Sequence, residues 1–109
     1  MWLVDGNNVM GSRPDGWWRD RPGAMQRLVT RLDELAGATG DDVEVVFDGR
    51  DAGLQAVRVR VGFAPHADDA IAERAGPGIT VVTSDRELAE RCRKKGAEVV
   101  GAGTLLGRM

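Results

Sequence analysis

The sequence predicts an α/β fold, with helices on both faces of a mainly parallel sheet of four or five strands. Three observations lead there. Short, valine-rich apolar segments recur at Trp2–Asp5, Val43–Gly49, Val57–Phe63, Gly78–Asp85 and Ala97–Gly103. Segments with a helical apolar period alternate with most of them. The length of 109 residues suits one domain around one modest core, so 1–109 is read as a single unit.

The elements follow in order. Trp2-Leu3-Val4 opens a strand that stops at Asp5, and Gly6-Asn7-Asn8 then reads as a tight turn. The glycine-rich stretch Met10–Asp20 reads as the one long loop. From Ala24 onward, Met25, Leu28, Val29, Leu32, Leu35 and Ala36 keep a 3.6-residue period, with Pro22 near the start. The β-branched run in Val43–Gly49 fits a strand buried on both faces. In Val57–Phe63, valines alternate with Arg58 and Arg60, as on an edge strand with one wet face. The linking segment RDAGLQA leaves that strand's direction open. Ala67–Ala75 predicts a short helix ended by Gly76-Pro77. Ser84–Gly96 predicts another, with Ser84 and Glu87 at capping-box spacing, Lys94 and Lys95 in the last turn, and Gly96 as the stop.

Composition removes several chemistries. Cys92 is the only cysteine, which excludes an internal disulfide and a cysteine zinc site. His66 is the only histidine, and no Gly-x-Ser-x-Gly elbow supplies a serine nucleophile. No stretch is long and apolar enough for a membrane span, and the chain starts directly in a strand pattern, so a cytoplasmic location is expected. The bias toward Arg over Lys, with abundant Ala and Gly, reads as genome composition rather than a recognition patch.

The acids are placed less evenly. Asp5, Asp48 and Asp85 follow the first, second and fourth strands, and Asp68 and Asp69 open the helix after the third. In a parallel sheet all of them fall on the carboxyl edge, where open α/β sheets bind ligands. Each alone is ordinary turn or cap chemistry; turn and cap acids placed independently would scatter over both edges. Two carboxylates about 4 Å apart repel by about 1 kcal/mol even in water, so such a rim must protonate or hold cations. Oxygen-only donors favour Mg²⁺ or Mn²⁺, and these ions suit phosphodiester hydrolysis. Two such ions would also reverse the sign of the formal net charge of -2.

Together, LVDGNNV, VFDG, HADDAIAE and VVTSDREL resemble the NYN domain of the PIN-like nuclease superfamily, near its YacP-like branch, over residues 2–103. The resemblance implies a PIN-like three-layer α/β/α sandwich and an Mg²⁺/Mn²⁺-dependent ribonuclease acting as an endonuclease. It implies Asp5, Asp68 and Asp85 as catalytic metal ligands, with Asp48 added through the FDG element of related 5′-nucleases. Asp69 is an extra acid beside the family's own; neighbours on a helix diverge, so Asp68 comes first. Asn7 would orient a ligand or water, and Asn8 and Ser84 lie in the same motifs as candidate substrate contacts. The segment between Asp48 and Asp68 is short for the YacP-like branch.

Further contacts are expected around this centre. Trp17 and Trp18, near Arg13, Arg19 and Arg21, offer stacking for unpaired bases and so predict single-stranded RNA as partner; the competing reading is that they cover the core. His66 and Arg86 are candidate phosphate contacts, with a cap or surface role as the alternative for His66. A homodimer or a regulatory protein partner is compatible with this reading. Two other functions compete. One is a catalytically inactive module that binds RNA or protein. The other is a receiver-like phosphotransfer domain, disfavoured because no acid pair follows the first strand and no lysine ends the fifth.

Overall fold

A computed structural model describes residues 1–13 and 15–108; Pro14 of the expected loop and Met109 lie outside the described residues. Five strands, β1 (Trp2–Asp5), β2 (Val43–Asp48), β3 (Arg60–Ala64), β4 (Thr80–Val82) and β5 (Glu98–Val100), form one sheet. Every pairing is parallel and the order is β3-β2-β1-β4-β5. The order reverses between β1 and β4, which makes that pair the switch point of a doubly wound sheet.

Alternating strand residues build two cores. Val4, Val45, Phe47 and Val82 face α1 (Gly6–Gly11), α2 (Arg21–Thr39) and α5 (Ala102–Leu106). Leu3, Val46 and Val81 face α3 (Ala67–Arg74) and α4 (Arg86–Lys94). Leu3, Leu32, Phe47, Ile71 and Leu88 are fully buried, each stabilising the fold by roughly 2 kcal/mol relative to exposure. Glu44, flanked by Val43 and Val45 on β2, is buried and ion-paired with Arg60 and Arg74.

The direction left open for β3 is parallel to β2, although no helix makes the crossover. Instead the chain is strapped across α2. Gln26 exchanges two hydrogen bonds with the backbone of Gln55, and the Asp33 carboxylate accepts the amides of Val57, Arg58 and Val59, each at 2.9 Å. Those amides are therefore unavailable to a sheet ladder. The strand starts at Arg60 rather than Val57, and Val57 itself is 90% exposed.

Two helices replace expected loop and strand. The turn expected at Gly6-Asn7-Asn8 is the start of α1, with Asp5 in extended conformation as its N-cap. Gly6 is required there for space: a Cβ would stand 2.5 Å from the Phe47 ring. The expected long loop is thus shortened by α1, and its centre is a 3-10 turn at Trp17–Arg19. After β5 the chain turns at once into α5, where Ser84 Oγ accepts the Ala102 amide. The capping box expected at Ser84 does not form. Asp85 is the N-cap of α4, and its Oδ1 accepts the amides of Glu87 and Leu88 at 2.9 and 3.2 Å.

Candidate active site

Strand parity places the acids. Side chains two residues apart on a strand share a face. Asp5 therefore follows Leu3, Asp48 follows Val46, and Thr83 follows Val81, all toward the α3–α4 side. The helices on that side begin beside Asp68 and Asp85. Asp5, Asp48, Asp68 and Asp85 consequently line one open cleft of about 520 Å³, together with Asn7, Asn8, Pro65 and His66. The cleft lies at the carboxyl edge over the β1–β4 switch point.

Each acid is fixed by a bond to the fold. Thr83 donates its hydroxyl to Asp5 Oδ2 at 2.8 Å, and the same oxygen of Thr83 accepts the Asp85 amide at 3.1 Å. Asp48 Oδ1 accepts the Ala67 amide at 2.7 Å. It thereby takes the capping role that His66, at the N-cap position of α3, leaves unfilled. Asp68 Oδ1 accepts the amide of Asp69. For Asp48 and Asp85, the other carboxylate oxygen accepts no hydrogen bond among the described residues. Two asparagines tie the rim together. Asn7 Oδ1 accepts the Asp48 amide at 2.8 Å, and Asn8 Oδ1 accepts the Ser84 amide at 2.7 Å. Since each carbonyl oxygen is engaged by a backbone N–H, the amide orientation is set and each NH₂ is left as the free end.

Asp5 differs from the other three in its surroundings. Only 7% of it is exposed. Burial pushes its carboxyl above the ordinary aspartate value, the charges of Asp48 and Asp85 push the same way, and the hydrogen bond from Thr83 opposes them. A cation in the cleft would act against both upward pushes.

The donor set suits a hard divalent ion: four carboxylates, no cysteine and one neighbouring imidazole. Among the described residues, no three His, Cys, Asp or Glu side chains close on a common point. The acids form a mouth rather than a closed cage. Mg²⁺ fits such an arrangement, because it keeps several waters and takes only one or two carboxylates directly.

Other residues expected at the site stand elsewhere. Asp69 is turned to Arg91, 2.9 Å away on α4, and does not line the cleft. Ser84 and Arg86 line a neighbouring groove instead. Trp17 packs against the core while Trp18 is 59% exposed, and the two rings meet edge to face at 6.0 Å. Neither borders the cleft. Thr83, 2% exposed, is the residue that sequence reasoning missed. Its signal was parity: it stands two residues after Val81 and two before Asp85.

With this geometry in hand, likeness to known proteins is specific. The model of the YacP-like NYN domain matches residues 2–109. The crystal structure of Rae1 (YacP) from Bacillus subtilis superposes with a TM-score of 0.81 and 29% identity, over 99% of this chain and 72% of that one. A single-substitution variant of Rae1 gives 0.83 over 98% and 72%. A UPF0178 protein of Rhodopseudomonas palustris (strain BisB18) is 74% identical over 34 residues, 31% of this chain and 22% of that protein. A UPF0178 protein of Bradyrhizobium diazoefficiens is 68% identical over 34 residues, 31% of this chain and 20% of that one. The matched stretch thus spans only about a fifth of those curated relatives. The all-parallel five-stranded fold and the family match over nearly the whole chain agree: the protein belongs to the YacP-like NYN domain family, a nuclease-like family.

Proposed function

We propose that this protein is an Mg²⁺- or Mn²⁺-dependent endoribonuclease whose reaction centre is the cleft above β1 and β4. The observation that carries the reading is the convergence of Asp5, Asp48, Asp68 and Asp85, from four separate segments, on one opening at the switch point. One or two of these carboxylates would hold the ion directly and the others through its waters. When bound, it would supply Lewis-acid charge neutralisation at the phosphate and lower the pKa of water. The chain's own groups do the rest. Thr83 and the Ala67 amide hold Asp5 and Asp48 in place. The NH₂ groups of Asn7 and Asn8 are donors for the non-bridging oxygens of a phosphodiester, and His66 borders the same space. Trp18, exposed with the Arg19 guanidinium 5.9 Å from its ring, supports single-stranded RNA as the partner.

One observation favours a second reading, a binding module that keeps the fold without catalysis: the described carboxylates do not close on a common point. The deciding experiment incubates purified protein with labelled single-stranded and duplex RNA in Mg²⁺, Mn²⁺ or EDTA. Cleavage of single-stranded RNA with either ion, abolished by EDTA, is expected. Undiminished cleavage in EDTA would exclude the metal centre. RNA binding without cleavage under any condition would favour the binding module.

A further inference from the structure

We infer that the groove between α4 and β5 holds the RNA strand beyond the scissile phosphate, with Arg86 and Arg93 contacting its neighbouring phosphates. This rests on the endoribonuclease reading and extends it to a second part of the surface.

The groove is continuous with the acidic cleft, because Asp85 lines both. At about 730 Å³ it is the larger of the two, and it leads away from the acids over Ala89, Val99 and Gly101. That floor is small and uncharged, so a strand can lie close to it. Arg86 and Arg93 stand seven residues apart on α4, two helical turns, and so share a face about 10 Å apart along the axis.

Their charges are available. Arg60 and Arg74 are held by Glu44, Arg91 by Asp69, and Arg13 stands 3.8 Å from Asp15. Among the described residues, Arg86 and Arg93 make no ion pair and no side-chain hydrogen bond, although Glu87 and Glu90 lie on the same helix. Both arginines are exposed. The two glutamates also line the groove. Glu90, four residues after Arg86 and three before Arg93, stands between them on the same face, so the arginines meet two separate phosphates rather than a continuous track, and the glutamates offer acceptors to the amino groups of bases. A strand whose scissile phosphate lies among the aspartates needs this compensation, since the charged residues lining the groove are otherwise Asp85, Glu87 and Glu90.

Counterion release supplies the test. Each phosphate contact on a single strand contributes about 0.7 to the slope of log affinity against log salt. Binding of a fluorescein-labelled single-stranded RNA of about 12 nucleotides is followed by anisotropy in EDTA, a length within the range that single-strand sites cover. The kcat/KM for its cleavage in Mn²⁺ is measured over the same salt series. Arg86→Gln and Arg93→Gln should each flatten both slopes by about 0.7, and the double variant by about twice that. Arg93→Lys, which keeps the charge, should keep the slope. Arg31→Gln, on α2 across the sheet, removes an equal charge and should leave the slope as it is. The substituted side chains make no ion pair, so the variants should fold, and melting curves check this directly.

Parental slopes in both Arg86 and Arg93 variants, with the wild type cleaving normally, would overturn the groove and leave the nuclease reading standing. An equal drop in Arg31→Gln would overturn it too. A wild type that neither binds nor cleaves RNA would overturn both.

Discussion

Thr83→Val offers the sharpest test of how the fold supports the acids. The substitution keeps shape and burial but removes a hydroxyl that makes two bonds, one to Asp5 Oδ2 and one from the Asp85 amide. A hydrogen bond to a charged group contributes about 1.5–3 kcal/mol, and the longer neutral bond adds about 1 kcal/mol; part returns through the extra buried methyl. The expected loss at neutral pH is about 2–3 kcal/mol, or roughly 10 °C in Tm for a domain of this size. The pH dependence follows from Asp5. Burial already pushes its pKa up and Thr83 pulls it down; without the hydroxyl it rises further. The added loss is therefore present where Asp5 is ionised and shrinks as pH falls through its raised pKa, where the carboxyl is protonated in both proteins. Urea titrations in EDTA, at neutral pH and near the acid end of the stable range, measure both quantities. Thr83→Ser should recover most of the loss. A deficit equal at both pH values, or none at neutral pH, would refute the coupling between Thr83 and the Asp5 charge.

Asp5→Asn should leave the metal-free protein as stable or more stable at neutral pH, since it removes a buried charge that burial and two neighbouring carboxylates disfavour. The Tm gain on adding Mn²⁺ should shrink with it, because stabilisation by a ligand follows its affinity; an unchanged Mn²⁺ shift with parental cleavage would remove Asp5 from the centre. Asp33→Asn should weaken the strap before β3. Burial pushes the Asp33 carboxyl up, but the amides of Arg58, Val57 and Val59 outweigh it and hold it below the ordinary aspartate value. That stability is present above the unfolded value and lost as pH falls through the folded one, so wild type and variant should converge in acid. Faster hydrogen exchange at 57–59 in the variant is the local readout, and parental exchange there would refute the strap.

The strands and their terminal acids were legible because parity and turn residues are local signals. Leu3 and Asp5, or Val46 and Asp48, share a face whatever the rest of the chain does. The helix α1 was not legible. Gly6, Asn7 and Asn8 are poor helix formers, and their helix is held by contacts distant in sequence: the Phe47 ring against Gly6, and the amides of Asp48 and Ser84 on the two asparagines. The same holds for β3. Its direction depends on Gln26 and Asp33, which lie on α2 far back in the sequence and look like ordinary exposed polar positions. Ser84 had capping-box spacing, but spacing cannot tell which of two adjacent acceptors faces the helix, and Asp85 does. Asp69 failed to join the rim for the reason adjacent helical residues usually diverge: its side chain meets Arg91 instead.

The asparagines show how structural and chemical roles combine at this edge. Asn7 joins α1 to the end of β2, and Asn8 joins it to the residue after Thr83. Asp48 then reaches Ala67 at the start of α3, and Ser84 reaches Ala102 at the start of α5. Each bond runs from a side chain to a backbone group in a different segment, so the carboxyl edge is laced by a chain of contacts rather than by sheet pairing. Replacing either asparagine by aspartate would keep the acceptor but add charge to a rim that already repels itself. Replacing it by leucine would leave a backbone amide without its partner. Asparagine satisfies both demands: a neutral oxygen turned to the fold, and an NH₂ left for the cleft. A rim of mutually repelling acids is held by such neutral ties, because an ion pair supplying the same rigidity would neutralise the charge that the proposed cation would require.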